Sequence, residues 1–333
     1  MTLSVVIIGR NEGERLMRCI DSVREMSPIE GGVEILYVDS ASVDGSPQRA
    51  AERGARVLSL SDGRPTAARG RNAGWRAASG EFVLFLDGDT ILHPDFVRQA
   101  LAPFSDAGTA VVWGHRREIR PQDSVYNRVL DLDWIYPPGL TDFCGGDALM
   151  RRSALVEVGG YDQDLIAGEE PEMCRRMRAR GYTIRHIDVP MTGHDLAMTR
   201  WSQYWKRALR AGHAYLEISE RFRGSGLPFW EDEVRRNRRR AAILILAALG
   251  SAGLAAALRA WWPLAFAPLF YGALTVRTAQ KCRWKGGSLS TRLLYGLHSH
   301  FQQIPILVGQ LQNRRDRKAG RSRGLIEYKG AGA

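Results

Sequence analysis

The stretch Phe82-Val83-Leu84-Phe85-Leu86-Asp87-Gly88-Asp89 constrains this chain more than any other. Its unbroken apolar run reads as a strand buried on both faces, as in the interior of a parallel sheet. The run stops at two carboxylates separated by one glycine. Ligands of open α/β sheets gather at the carboxyl ends of strands, so chemistry is expected here. The two aspartates offer hard oxygen ligands to Mg²⁺ or Mn²⁺. Gly88 lets a phosphate come close to the backbone. Alone, the tripeptide reads more readily as a strand followed by an Asp-Gly turn. Its neighbours in the chain decide between the two.

Upstream, Leu3–Ile8 reads as a buried strand, and Glu14–Arg24 as a helix with Leu16, Ile20 and Val23 on one face. Val33–Val38 is a second strand ending at Asp39. Ser46-Pro47 opens a helix, with Ser46 as its cap and Pro47 at the first helical position. Arg56–Leu60 is a third strand, and Pro65–Ala78 a helix ended by Ser79-Gly80. Strands alternating with helices at this spacing predict an α/β fold, a mostly parallel sheet flanked by helices. No GxGxxG follows the first strand, which disfavours a dinucleotide-binding domain. A length of 333 residues suits one large domain or two smaller ones. The four cysteines are scattered and form no CxxC pair, so neither a zinc site nor a disulfide framework is expected. The N-terminus has no basic region before its short apolar run and reads as a strand, not a signal peptide. A net charge of +11 favours anionic partners.

Four segments then carry a resemblance. Ser4-Val5-Val6-Ile7-Ile8-Gly9-Arg10-Asn11-Glu12 resembles the opening strand of family 2 glycosyltransferases. Val38-Asp39-Ser40-Ala41-Ser42-Val43-Asp44-Gly45-Ser46 is similar to that family's VDDGSxDGT, with Ser40 where a second Asp is common. Arg71-Asn72-Ala73-Gly74 resembles its RNxG segment, and Asp87-Gly88-Asp89 its metal-binding DxD. The resemblance implies a GT-A-like fold and transfer of a sugar, with inversion, from a nucleotide-sugar donor of UDP or GDP type. Such a donor needs a divalent cation, Mg²⁺ or Mn²⁺, to neutralise its diphosphate. Asp89 is expected to touch the metal, and Asp87 the ribose or a metal-bound water. Asp39 is expected to accept hydrogen bonds from base or ribose, or else to cap a turn. Arg71 is expected to face phosphate bidentately, or else to be a solvated helix residue.

Further along, Thr109–Trp113 reads as a strand. Residues 116–138 show no clean period and hold Trp134 and Tyr136, aromatics suited either to a sugar or to the core. Phe143-Cys144-Gly145-Gly146-Asp147 resembles the family's glycine-containing loop before a helix, where Gly145 and Gly146 let backbone approach the donor sugar. Gly168-Glu169-Glu170-Pro171-Glu172-Met173 resembles its ED-x-[DE]-[LM] segment. Pro171 sets Glu169 and Glu170 in the first turn of a helix, whose dipole favours ionised carboxylates. By position Glu170 matches the catalytic base, with Glu169 as the fallback. Tyr182–Ile187 reads as a strand, after which His194 is expected to complete the metal shell or touch diphosphate, or else to be a polar loop residue. Thr199-Arg200-Trp201 resembles the end of the QxxRW segment of processive members. Ala197 replaces its Gln, which favours single-sugar transfer.

The composition changes at Arg235-Arg236-Asn237-Arg238-Arg239-Arg240. Two apolar runs follow, 241–258 and 261–276, each slightly short of the ~20 residues that cross a ~30 Å hydrocarbon core. The runs are two spanning helices, a re-entrant hairpin or two buried soluble helices; Arg277, Lys281, Arg283 and Lys285 follow the second run, and basic residues at both ends favour a helical hairpin with its ends on the cytoplasmic side. The expected organisation is a catalytic domain over 1–230, a membrane-associated helical region over 231–312 and a basic flexible tail over 313–333. The expected location is the cytoplasmic (inner) membrane, with the catalytic domain on its cytoplasmic side. The acceptor is then a lipid, a lipid-linked saccharide or a polysaccharide. A nucleotidyltransferase is disfavoured because Gly9-Arg10-Asn11-Glu12 is no glycine-rich Arg/Lys loop. A basic nucleic-acid binder and a non-catalytic membrane scaffold are the remaining alternatives. Nucleic acid is not an expected partner, because the basic clusters flank apolar runs.

Overall fold

The computed structural model describes residues 2–61 and 65–320. The described residues form two compact units, one of 2–120 with 134–197, the other of 121–133 with 198–320.

The first unit begins with β1 (Leu3–Gly9), α1 (Glu14–Arg24), β2 (Val33–Asp39), α2 (Ser46–Glu52), β3 (Arg56–Ser59), α3 (Ala67–Ala77) and β4 (Phe82–Asp87). It continues through β5 (Thr90–Leu92), α4 (Phe96–Ala100) and β6 (Thr109–Glu118). The chain passes into the second unit as α5 (Val125–Asp133). It returns as β7 (Gly139–Thr141), β8 (Ala148–Arg151), α6 (Arg152–Val158), α7 (Glu169–Ala179) and β9 (Thr183–His194). The strands form one sheet in the order β3-β2-β1-β4-β8-β6-β9-β5, with β7 also on β9. β3, β2, β1 and β4 are mutually parallel, and β8 runs antiparallel to β4 and β6. β1 and β4 lie inside the sheet, which is why their apolar runs are continuous rather than alternating.

Register fixes the site. Gly9 of β1 pairs with Asp39 of β2, and Ile8 with Asp87 of β4, so both aspartates emerge at the same edge of the sheet. α3 packs on this sheet through a close approach. A Cβ at Gly74 would fall 2.1 Å from Val6 Cγ1, so only glycine fits. Asn72 beside it accepts from Trp75 Nε1 at 2.8 Å and donates to the Tyr161 carbonyl at 2.7 Å. The Arg-Asn-x-Gly segment thereby locks α3 to the chain ahead of α7.

Several expectations shift. Gly45, not Ser46, occupies the cap of α2, and Ser46 is its first residue. β6 runs on to Glu118 and β9 to His194, so His194 sits in a strand rather than in a loop after one. The segment after Gly145-Gly146 is first a strand, β8, and then a helix.

The second unit contains α5, α8 (Trp201–Phe222), α9 (Glu231–Leu258), α10 (Phe266–Lys281), α11 (Leu289–Phe301) and α12 (Gln303–Lys318). α5 arises in the stretch without clean periodicity and is held by buried polar contacts. His298 of α11 meets Asp133 Oδ2 at 3.2 Å and the Tyr204 hydroxyl at 2.7 Å, and Lys285 Nζ donates to the Leu132 carbonyl at 2.7 Å. α9 and α10 form a hairpin around a tight turn at Trp262–Ala265, closed by a hydrogen bond from the Tyr271 hydroxyl to the Leu244 carbonyl. α8 groups with these helices, although the sequence places a boundary at 230. Instead of a flexible tail from 313, α12 continues to Lys318, since Gln, Arg and Lys are good helix formers. Residues 321–333 lie outside the described residues.

Candidate active site

The carboxyl edge of the first unit's sheet gathers three acidic residues around one arginine. Arg71 of α3 is 2% exposed. Its Nη2 meets Asp87 Oδ1 at 2.8 Å, and its Nη1 meets Glu169 Oε1 at 3.0 Å and Glu170 Oε1 at 2.9 Å. The guanidinium also lies over the Tyr161 ring, 5.7 Å from its centroid. The sequence expects Arg71 to meet a phosphate, but both its terminal nitrogens are committed to carboxylates. Gly146 makes this packing possible, because a Cβ there would lie 2.6 Å from Arg71 Nη2 and 3.0 Å from Asp87 Oδ2. At Gly145 a Cβ would meet nothing within 4 Å, so protein packing does not demand glycine there.

Glu169 and Glu170 open α7, with Gly168 in the cap. The helix N-terminus favours their charge, but burial works against it. Burial, reinforced by the neighbouring Glu169 charge and opposed by Arg71, leaves the Glu170 carboxyl pushed up to about 7. A carboxyl that titrates near neutrality exchanges a proton readily at working pH.

Asp87 and Asp89 part company. Asp87 turns to Arg71 and to Arg116, whose Nη2 lies 3.5 Å from Asp87 Oδ2. Asp89 is buried, and its Oδ2 lies 3.3 Å from Nε2 of buried His194. The Asp195 amide donates to the Asp89 carbonyl at 3.0 Å, which holds the end of β9 beside the turn after β4. His194 Nδ1 points toward Glu118 Oε2 at 3.7 Å and has no hydrogen-bond partner among the described residues. Burial, with help from the Arg116 charge, pushes the imidazole pKa down and favours the neutral ring. A neutral ring is the form that ligates a metal. Oxygen and nitrogen ligands on adjacent vertices of a cation bound at roughly 2.1 Å stand about 3 Å apart, so the Asp89–His194 pair fits a divalent cation. Asp87 does not join them, and among the described residues no group of three His, Cys, Asp or Glu side chains is arranged to share a metal ion.

Asp39 accepts from the Tyr37 hydroxyl at 2.9 Å and from the Ser42 amide at 3.0 Å. It thus shapes the turn after β2, while Asn11 braces that turn from β1's side by accepting from the Val43 amide at 2.8 Å.

Sequence reasoning passed over Asp147, Arg116, Glu118 and Thr192. Asp147 is fully buried; it accepts from the Asp87 amide at 3.0 Å and from the Thr192 hydroxyl at 2.7 Å, tying β4 to β9. Arg116 Nη1 approaches Asp147 Oδ2 at 3.7 Å, and its guanidinium lies 5.2 Å from the Trp134 ring centroid. The Trp134 ring in turn stands edge-on to His194 at 4.8 Å. Asp147 directly follows the glycine pair, a visible signal. Arg116 and Glu118 had none, since they sit where periodicity fails.

The sequence matches the description Glycosyl transferase family 2 over residues 4–159 and Glycosyl transferase family group 2 over residues 82–306. Glycosyltransferase AglE of Haloferax volcanii is 24% identical over 225 residues, which cover 65% of this chain and 73% of that protein. The pre-mycofactocin glycosyltransferase of Mycobacterium tuberculosis is 27% identical over 207 residues, 58% of this chain but only 42% of its own length. Among solved structures, the mannosyltransferase PcManGT from Pyrobaculum calidifontis, in complex with GDP-Man and Mn²⁺, aligns with a TM-score of 0.60 at 19% identity, over 95% of this chain and 87% of that one. TarS 1–349 of S. aureus aligns with a TM-score of 0.52 at 16% identity, over 96% of this chain and 92% of that one. At these identities the structural likeness is one of fold, and that fold is GT-A. The family match over residues 82–306 covers more than half of the chain, which therefore belongs to glycosyl transferase family group 2.

Proposed function

We propose that this glycosyltransferase works with inversion and with a divalent cation. It moves a sugar from a UDP- or GDP-linked donor to an acceptor hydroxyl at the cytoplasmic face of a membrane. The observation that carries this reading is Glu170, pushed up to about 7 beside Arg71 at the carboxyl edge of the sheet. As its carboxylate, Glu170 takes the proton of the acceptor hydroxyl while that oxygen attacks the anomeric carbon. The new C–O bond forms as the bond from the anomeric carbon to the diphosphate breaks, and the diphosphate leaves with the electron pair. Arg71 holds Glu170 in place and couples it to Asp87, while Glu169 keeps its proton affinity high. Asp89 and His194 are the residues suited to hold the cation, with donor oxygens completing its shell. When bound, the cation offsets the charge of the leaving diphosphate. Asp39 and Asp87 suit ribose and base, and Gly145 suits close approach of the sugar. The pairing with GDP-Man and Mn²⁺ in PcManGT supports this choice of donor and metal.

The membrane reading rests on the second unit. α9 is long and apolar enough to cross a membrane, the one such helix among the described residues. Ile243, Leu246, Leu249, Leu258, Leu264 and Leu269 are exposed along the hairpin, and Trp261 at its turn is 81% exposed. Tryptophan prefers the membrane interface, and the basic residues at the hairpin's open end suit anionic headgroups.

The test is donor consumption by detergent-solubilised chain against UDP- and GDP-sugars, with Mn²⁺, Mg²⁺ or chelator, in the presence of a lipid extract. Turnover of one donor that stops with chelator, with Asp89→Ala and with Glu170→Gln supports the reading. Turnover that survives chelator and both variants refutes the assigned chemistry.

A further inference from the structure

The register of the first unit's sheet places His194 of β9 between two strands. On one side it pairs with Thr90 of β5, so Asp89 directly precedes its cross-strand partner. On the other side it pairs with Glu118 of β6. The imidazole thus lies between two carboxylates, with Nε2 3.3 Å from Asp89 Oδ2 and Nδ1 3.7 Å from Glu118 Oε2. All three side chains are buried, and the Trp134 ring stands edge-on to the imidazole.

Glu118 is itself held in place. Its Oε2 accepts from the Leu196 amide at 3.0 Å, and its Oε1 from the Arg120 amide at 3.1 Å. Shaping the backbone accounts for these two bonds. It does not account for His194 Nδ1, a buried ring nitrogen with no hydrogen-bond partner among the described residues. A buried polar atom without a partner is costly, and 3.7 Å is too long for a hydrogen bond. The unsatisfied nitrogen is the one turned away from Asp89. An imidazole nitrogen ligates a cation only through its lone pair, so a ring that ligates through Nε2 carries its hydrogen on Nδ1. That hydrogen needs an acceptor, and Glu118 is the carboxylate facing it. A carboxylate in this place fixes the ring's orientation and makes the ligating nitrogen more basic.

We propose that Glu118 is a positioning residue for the divalent cation. It accepts Nδ1–H of His194 and so aims Nε2 at the cation that Asp89 shares. This inference rests on the cation site proposed above, and it adds to that site a residue that does not itself touch the metal.

The test is Mn²⁺ binding by the full chain in detergent, without donor, read from the EPR signal of free Mn²⁺. Wild type is expected to bind, and Asp89→Ala to lose binding. Glu118→Ala is expected to weaken Mn²⁺ affinity by about 10–100-fold. Glu118→Gln keeps a carbonyl for Nδ1 but not the charge, and its affinity is expected to fall between the two. Weakened binding by a Glu118→Gln chain that melts like wild type in chelator supports the proposal. A second readout needs no variant of Glu118. In a chain carrying isotope-labelled histidine and saturated with Mg²⁺, the ring-nitrogen NMR signals that vanish in His194→Asn report where the hydrogen sits. Hydrogen on Nδ1 alone supports the proposal, whereas hydrogen on Nε2 or on both nitrogens overturns it. Mn²⁺ affinity indifferent to both Glu118 variants also overturns it, and if that binding still needs Asp89 the cation site itself stands. No Mn²⁺ binding by wild type removes the cation site, and this assignment with it.

Discussion

At the end of β4 one guanidinium, Arg71, faces the carboxylates of Asp87, Glu169 and Glu170. At the end of α12 the ratio is inverted: Arg314, Arg315, Arg317 and Lys318 are exposed, and Arg317 approaches Glu220 at 3.8 Å. The first cluster is internally compensated except at one point. Arg71 does not offset the burial of Glu170 and the adjoining Glu169 charge, so the shortfall appears as the raised proton affinity of Glu170. The second cluster is exposed, so water solvates and screens its surplus charge. A shortfall of positive charge in a buried site raises a carboxyl's proton affinity, whereas the same imbalance at an exposed helix end perturbs little.

The strongest way to break this comparison is Glu170→Gln. It keeps the shape and removes the base, so kcat is expected to fall by about 10²–10⁴ while donor affinity persists. Next, Arg71→Ala strips the common partner from buried carboxylates. Breaking such a cluster costs about 3–5 kcal/mol, read as a lowered melting temperature of the detergent-solubilised chain.

A smaller effect sharpens the account of Glu170. Its carboxyl moves from an ordinary 4.5 to about 7 in the folded chain, so the folded state binds the proton more tightly than the unfolded one. The stability this lends is full below pH 4.5 and is lost as pH rises to about 7. Relative to wild type, Glu170→Gln is therefore expected to gain about 1–3 kcal/mol at mildly alkaline pH and nothing in acid, measured by unfolding at several pH values. In the active protein the same group makes kcat/KM rise with pH through about 7.

The least disruptive pair separates packing from ligand approach. Gly146→Ala drives a Cβ into Arg71 and is expected to cost about 1–3 kcal/mol. Gly145→Ala meets open space and is expected to change stability by about 0.5 kcal/mol or less. A rise in donor KM at Gly145 with no change in melting then reports the approach of the sugar itself.

The sheet was legible because its central strands announce themselves as unbroken apolar runs ending in carboxylates. That Asp87 ends a buried strand at the carboxyl edge of the sheet, with Asp89 just beyond it, was equally legible. Their separate partners were not, because Arg71 and His194 reach them from α3 and β9 and no spacing records that. Arg71 read as a phosphate ligand because its burial depends on Glu169 and Glu170, nearly a hundred residues later in the chain. Arg116 and Glu118 escaped notice because residues 116–138 serve two units, and a stretch that changes unit keeps no single period. The helical continuation to Lys318 was missed because charge density resembles a solvated tail until α8 supplies a face to pack against.

The central claim, direct displacement assisted by Glu170, is tested most directly by the anomeric configuration of the product. Proton NMR of the sugar transferred from an alpha-linked donor reads it from the coupling at the anomeric carbon. The account predicts a beta linkage formed with inversion. An alpha-linked product would mean retention, and the role assigned to Glu170 as the base of a single displacement would be wrong.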